Sequence, residues 1–226
     1  MNKIYIYLIV LMAFSCTGTG QKKQLESEVV EEQKISKLER LMQLPRDSVM
    51  DYYDLSNDSI VEFPDLSDFA IKSLDLSYNR LDTVIIDYLP REIVTLNLSH
   101  NSFYGIFRFI IDPEWQLDFN ERMKLYKDAT IREIDLSHNK LSGIDIGFPL
   151  SKIIVPYNDI TYIDFSHFNI EYLDISNNPN LSNVVQFDPY VIDTIIRNNI
   201  ANDKELVPSN WDPGHIDYIY PEDSIN

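Results

Sequence analysis

The side chains of this chain best equipped for chemistry share one repeated slot. Tyr78, His100, His138 and Tyr157 each stand immediately before an asparagine, as in Ser77-Tyr78-Asn79 and Ser137-His138-Asn139. Phenols and imidazoles donate and accept hydrogen bonds, and imidazoles ligate metals. Four rings in successive units make a strip suited to recognition, because tyrosine offers large contact area for little lost freedom. His100 and His138 invite a metal reading, since neighbouring strands lie about 5 Å apart. A third ligand is hard to name, so no metal site is expected there.

Other chemistry is thinly represented. The chain holds 6 glycines, with no G-x-G-x-x-G or G-x-x-x-x-G-K-[ST] phosphate loop. G-x-S-x-G, C-x-x-C and H-E-x-x-H are also missing. Cys16 is the single cysteine and lies near the start, away from any candidate base. Neither an enzyme nor a cofactor is expected. Carboxylates do recur: Asp54, Asp75, Asp135 and Asp174 share a column with Asn97, Ile154 and Ile195. Beside it run Ser56, Ser77, Ser99, Ser137, Pro156 and Ser176, read as a second outward column. Adjacent carboxylates repel by only ~1 kcal/mol in water, and a basic partner relieves that repulsion.

These columns exist because of a repeat. Leu74-Asp75-Leu76-Ser77-Tyr78-Asn79-Arg80-Leu81 returns at Leu96 to Phe103 and at Ile134 to Leu141. The pattern is L-x-L-x-x-N-x-L, with a further apolar residue three places before and after. Weaker copies start their L-x-L at Tyr53, Ile153 and Leu173, and a candidate seventh at Thr194. The steps between these positions are 21, 22, 38, 19, 20 and 21 residues. A near-constant step means coils that bury their apolar face only against a neighbour. In L-x-L the leucines point inward and the residue between points out, by the two-residue period. Asn79, Asn101, Asn139, Asn158 and Asn178 should form a buried ladder, since an amide supplies donors and an acceptor to an unpaired turn. Their reading is structural.

The phrase resembles the leucine-rich repeat family over about residues 47–205. Its short step is similar to bacterial internalin and effector classes, and Leu89-Pro90 and Phe148-Pro149-Leu150 resemble the L-P segment of the latter. The resemblance implies an α/β solenoid: a right-handed superhelix with a parallel concave sheet and a mostly non-helical convex side of extended or 3₁₀ segments. It also implies protein or peptide recognition on the concave face, although fold alone does not establish function.

The remaining segments frame this domain. Lys3 precedes an apolar run from Ile4 to Phe14, suited to an export signal and too short to span a bilayer. Ala13-Phe14-Ser15-Cys16 resembles the lipobox of bacterial lipoproteins, which implies cleavage after residue 15 and a lipid anchor on Cys16. The same residues suit ordinary signal peptidase and a soluble secreted or periplasmic protein. Residues 16–46 read as a tether followed by a candidate capping helix from Ile35 to Leu44, ended by Pro45. The 38-residue step contains an insertion near 107–130. Asp112-Pro113-Glu114 opens a predicted helix there, running to about Lys127 with an aromatic stripe that includes Trp115. Residues 206–226, with Trp211, read as a C-terminal cap.

The formal charge of −17 argues against nucleic acid and suits a basic protein or peptide partner. Membrane contact is expected only through the anchor at Cys16. An envelope scaffold without a discrete ligand and a glycan-binding surface protein are the alternatives.

Overall fold

The computed structural model describes residues 35–109, 129–146, 149–164, 170–185 and 192–201. The chain divides at Lys34/Ile35, and all described residues belong to the second unit. Cys16, the predicted helix from Pro113 to about Lys127, and the segment 206–226 lie outside the described residues.

Short strands dominate, because L-x-L supplies one inward-outward-inward step and the asparagine turn then ends it. They are β1 (Val49–Asp54), β2 (Ala70–Asp75), β3 (Thr95–Asn97), β4 (Tyr104–Phe107), β5 (Glu133–Asp135) and β6 (Lys140–Ile144). Then come β7 (Lys152–Ile154), β8 (Tyr162–Asp164), β9 (Ile170–Asp174), β10 (Asn183–Val185) and β11 (Ile192–Ile196). Seven of them form one sheet in the order β1-β2-β3-β5-β7-β9-β11, with every pair parallel. Strand β3 pairs directly with β5, so the long insertion leaves the coil stack intact. The result is a parallel-strand solenoid.

The far side of the coils also carries strands, in the pairs β4–β6 and β8–β10, and a 3₁₀ turn at Ile86–Tyr88. The sequence leads to extended or 3₁₀ segments there; hydrogen bonding between successive coils organises part of them into parallel ladders. Among the described residues the one α-helix is α1 (Lys37–Met42), so no helix completes a coil where the chain is described.

Leu74, Leu96, Ile134, Ile153 and Leu173 stand in register across β2, β3, β5, β7 and β9, all essentially buried. A second inward column of Leu76, Leu98, Leu136, Val155 and Ile175 is fully buried. Each such side chain contributes about 1.5–3 kcal/mol on leaving water. The asparagines follow. Asn139 Nδ2 donates to Leu98 O (3.1 Å) and Leu136 O (3.0 Å), while its Oδ1 accepts from the N–H groups of Asn101 and Phe103 (both 3.2 Å). Asn79, Asn101, Asn158 and Asn178 likewise join the carbonyls of two coils and accept an N–H of the preceding one.

In the first coil Asp58 occupies the asparagine position. Its carboxylate accepts the N–H groups of Lys37 and Leu38, both at 2.8 Å, tying α1 to the coil. Ser36 and Glu39 close a capping box at the start of α1, and Leu41 is fully buried.

Two readings of the sequence need correction. Asn199 mimics the repeat asparagine and pulls the phase of the seventh coil one residue early. In the structure Ile195, not Thr194, pairs with Leu173 and is buried, while Thr194 pairs with Tyr172. Ile195 therefore leaves the outward Asp column, where Ile196 stands beside Asp174. A slip of one residue exchanges every inward and outward side chain. Arg197 then takes an inward slot. The serine column is the second correction. Ser77, Ser99, Ser137, Pro156 and Ser176 are buried rather than outward, because the chain is already turning there.

Candidate functional site

The sheet's outward face is built from three columns. The one nearest the turn contains Asn57, Tyr78, His100, His138, Tyr157, Asn177 and, with the corrected phase, Asn199. All seven have φ between 51° and 57°, in the left-handed region. That conformation lets the backbone N–H reach the next coil: Tyr78 donates to Ser99 O, His100 to Ser137 O and His138 to Pro156 O, each at 3.0 Å. Asparagine and histidine tolerate it well, whereas the bulky phenols of Tyr78 and Tyr157 pay about 1–2 kcal/mol.

The rings recover part of that by stacking. Tyr78 and His100 lie 4.0 Å apart between centroids with planes 10° from parallel. His100 and His138 follow at 4.0 Å and 11°, then His138 and Tyr157 at 4.3 Å and 13°. Each aromatic contact is worth about 0.5–1.5 kcal/mol beyond area. The stack stands in water: Tyr78 is 58% and Tyr157 53% exposed. At its far end the column closes with Asn199 Nδ2 donating to Asn177 Oδ1 at 3.1 Å.

Parallel imidazoles are poorly arranged for a shared ion. Nitrogen lone pairs lie in the ring planes, so stacked rings aim them side by side instead of converging. No group of three His, Cys, Asp or Glu suited to a metal occurs among the described residues. His100 is pushed below the usual imidazole value by burial first and by neighbouring His138 second, against an opposing pull from Asp135.

The second column holds the carboxylates. Asp54, Asp75, Asp135 and Asp174 each accept the N–H two residues on, at 2.8, 2.9, 2.9 and 3.0 Å. Asn97 does the same at 3.0 Å. This local bond turns the chain into the left-handed residue that follows, so these residues position the ring column as well as charging its flank. The Lys37 ammonium, 2.7 Å away, and the Ser56 hydroxyl hold the Asp54 carboxyl down to about 2.

A third column escapes the sequence reading: Tyr52, Ser73, Thr95, Glu133, Lys152, Tyr172 and Thr194. The signal that could have found it is the same two-residue period, read one step before L-x-L instead of within it. Lys152 lies 3.7 Å from the Glu133 carboxylate and 5.5 Å from the Tyr172 ring centroid.

The leucine-rich repeat family model matches residues 70–91 and 130–151, the second coil and the coil that follows the insertion. These two matches support a leucine-rich repeat protein, a class that generally mediates protein–protein binding. Comparison with curated proteins and with solved structures gave no significant match.

Proposed function

We propose that this chain is a recognition module that captures a protein or peptide on the outward face of the seven-stranded sheet. Tyr78, His100, His138 and Tyr157 form the centre of the contact. The observation that carries this reading is the ring stack. Its slot suits asparagine and histidine, yet Tyr78 and Tyr157 hold phenols in a strained backbone conformation, exposed to water, at the two ends of an unbroken four-ring stack. Strain retained at one surface strip is characteristic of functional positions.

We read this face as the concave side of a right-handed superhelix. The carboxylates of Asp54, Asp75, Asp135 and Asp174 beside the strip, with a net charge of −17, suit a basic partner. Glycan binding is less favoured physically. Sugars stack on free ring faces, and here both faces of each imidazole and the inner face of each phenol are occupied. The apolar run Ile4–Phe14 and the lone Cys16 support export and a diacylglyceryl anchor at a bacterial cell envelope. If so, Cys16→Ala abolishes partitioning into the detergent phase. Wild type remaining in the aqueous phase would point to a soluble secreted or periplasmic protein.

The binding reading is tested by offering the purified chain to an array of surface proteins and glycans. Tyr78→Ala and Tyr157→Ala should each weaken capture of the protein hit by about 1 kcal/mol or more. Normal binding by both variants overturns the ring-strip model, and an array without a protein hit favours the envelope scaffold.

A further inference from the structure

Next to the ring stack the sheet surface carries a shallow valley of about 180 Å³. Its walls are Thr95, Glu133 and Lys152 on one side and Asn97, Asp135 and Ile154 on the other. Leu96 and Ile134 also line it, but both point inward, so the floor is the backbone of β3 and β5. The valley crosses β3, β5 and β7, the coils that carry His100, His138 and Tyr157.

We infer that this valley is an anchor pocket for one basic side chain of the partner, with arginine favoured over lysine. The inference rests on the recognition reading above. Two carboxylates and one ammonium line the pocket, and the ammonium is engaged by Glu133 and Tyr172. Asp135 is the uncompensated charge. Its neighbours across the sheet are Asn97 and Ile154, so no cation of its own column balances it. Its Oδ1 is committed to the Ser137 N–H, which leaves Oδ2 for a ligand. Thr95 adds a hydroxyl oxygen that can accept from the incoming group, and Ile154 offers an aliphatic wall for the methylene stem of the incoming side chain. A guanidinium is flat and weakly hydrated, with donors spread along two edges, which fits a shallow valley between strands better than a compact ammonium.

The test uses the full chain, labelled for amide NMR, with N-acetyl-arginine methylamide as probe and the citrulline analogue as its uncharged isostere. Arginine should shift the amides of Thr95, Asn97, Glu133, Asp135 and Ile154 saturably, and citrulline should not. Asp135→Asn keeps the local turn bond, as Asn97 does one coil earlier, so the fold survives. It should raise the arginine Kd about tenfold, the loss of one charge-assisted pair. Lys152→Met should lower that Kd severalfold by freeing Glu133. Equal shifts with citrulline, or an Asp135→Asn protein that binds arginine unchanged, overturns the pocket. Tyr78→Ala and Tyr157→Ala should leave the arginine Kd unaltered, so failure of the ring strip and failure of the valley are separately visible.

Discussion

Two columns run side by side through this molecule, one residue apart, and they obey opposite rules. Asn79, Asn101, Asn139, Asn158 and Asn178 point in and repeat unchanged through the five middle coils, with Asp58 in that slot at one end and Ile200 at the other. Asn57, Tyr78, His100, His138, Tyr157, Asn177 and Asn199 point out and change character along the sheet. The inner amide satisfies backbone groups of two coils at once, and no other side chain of that size carries both donors and an acceptor. The outer slot asks only for a tolerable left-handed backbone, a requirement asparagine meets at both ends. Rings in the middle exceed that requirement, and the excess is where a function has room to act.

Breaking the inner column should have the largest effect. Asn178 is fully buried and joins Val155 O, Ile175 O and the Ile160 N–H. Asn178→Ala should destabilise the fold by about 1–3 kcal/mol through unsatisfied buried groups. Asn101→Ala, at a half-buried rung, should fall at the lower end of the same range. Denaturant titration measures both, and changes within error would remove the ladder's claim to hold the coils together.

Much of this contrast was legible in the sequence, because it depends on period. L-x-L-x-x-N fixes which side chains face in, and it placed Leu74, Leu96, Ile134, Ile153 and Leu173 in one phase. The phase failed at the seventh coil, where Arg197 fills an apolar slot and Asn199 imitates the ladder. The serines misled for a different reason. Alternation holds only while the chain is extended, and the Asp-to-Ser hydrogen bond has already begun the turn. The sign of φ at Tyr78 and the contact of one ring with the next are consequences of that turn, which a count of spacings does not carry.

The end of the stack offers a weaker break. The Lys37 ammonium and the Ser56 hydroxyl lower the Asp54 carboxyl from 3.8 to about 2 in the folded chain. A depressed carboxyl contributes stability that is present above its unfolded value and lost as pH falls toward the folded one. Lys37→Met should therefore destabilise by about 1 kcal/mol or less at neutral pH, since this pair is partly exposed and screened by solvent. The difference from wild type should shrink as pH drops from 4 toward 2. Thermal melts across that window check it, and a difference that stays constant with pH would mean Lys37 acts through packing alone.

Exchanging the outer slot for its end-column residue should hardly register in stability. Tyr78→Asn gives up a stacking contact of about 0.5–1.5 kcal/mol and relieves a left-handed ring of comparable strain. Melting should change by no more than about 0.5 kcal/mol in equivalent stability, within the scatter of ordinary surface substitutions. A large loss would make the stack a structural device rather than a recognition surface.

The smallest effect expected is the titration of His100. Burial first, then the neighbouring His138, lowers its pKa from 6.5, with Asp135 opposing. The unfolded chain thus takes up its proton before the folded one does. For a histidine shifted this way, stability is full above 6.5 and declines as pH falls through the folded value. An imidazolium at His100 fits poorly at the centre of the stack, so the stack should loosen from there in acid. Imidazole NMR reads this directly: His100 should titrate below a solvent histidine, and His138→Tyr should move it part of the way back, leaving the contribution of burial. A His100 that titrates at or above 6.5 would mean its ring is better hydrated than the stacked geometry allows.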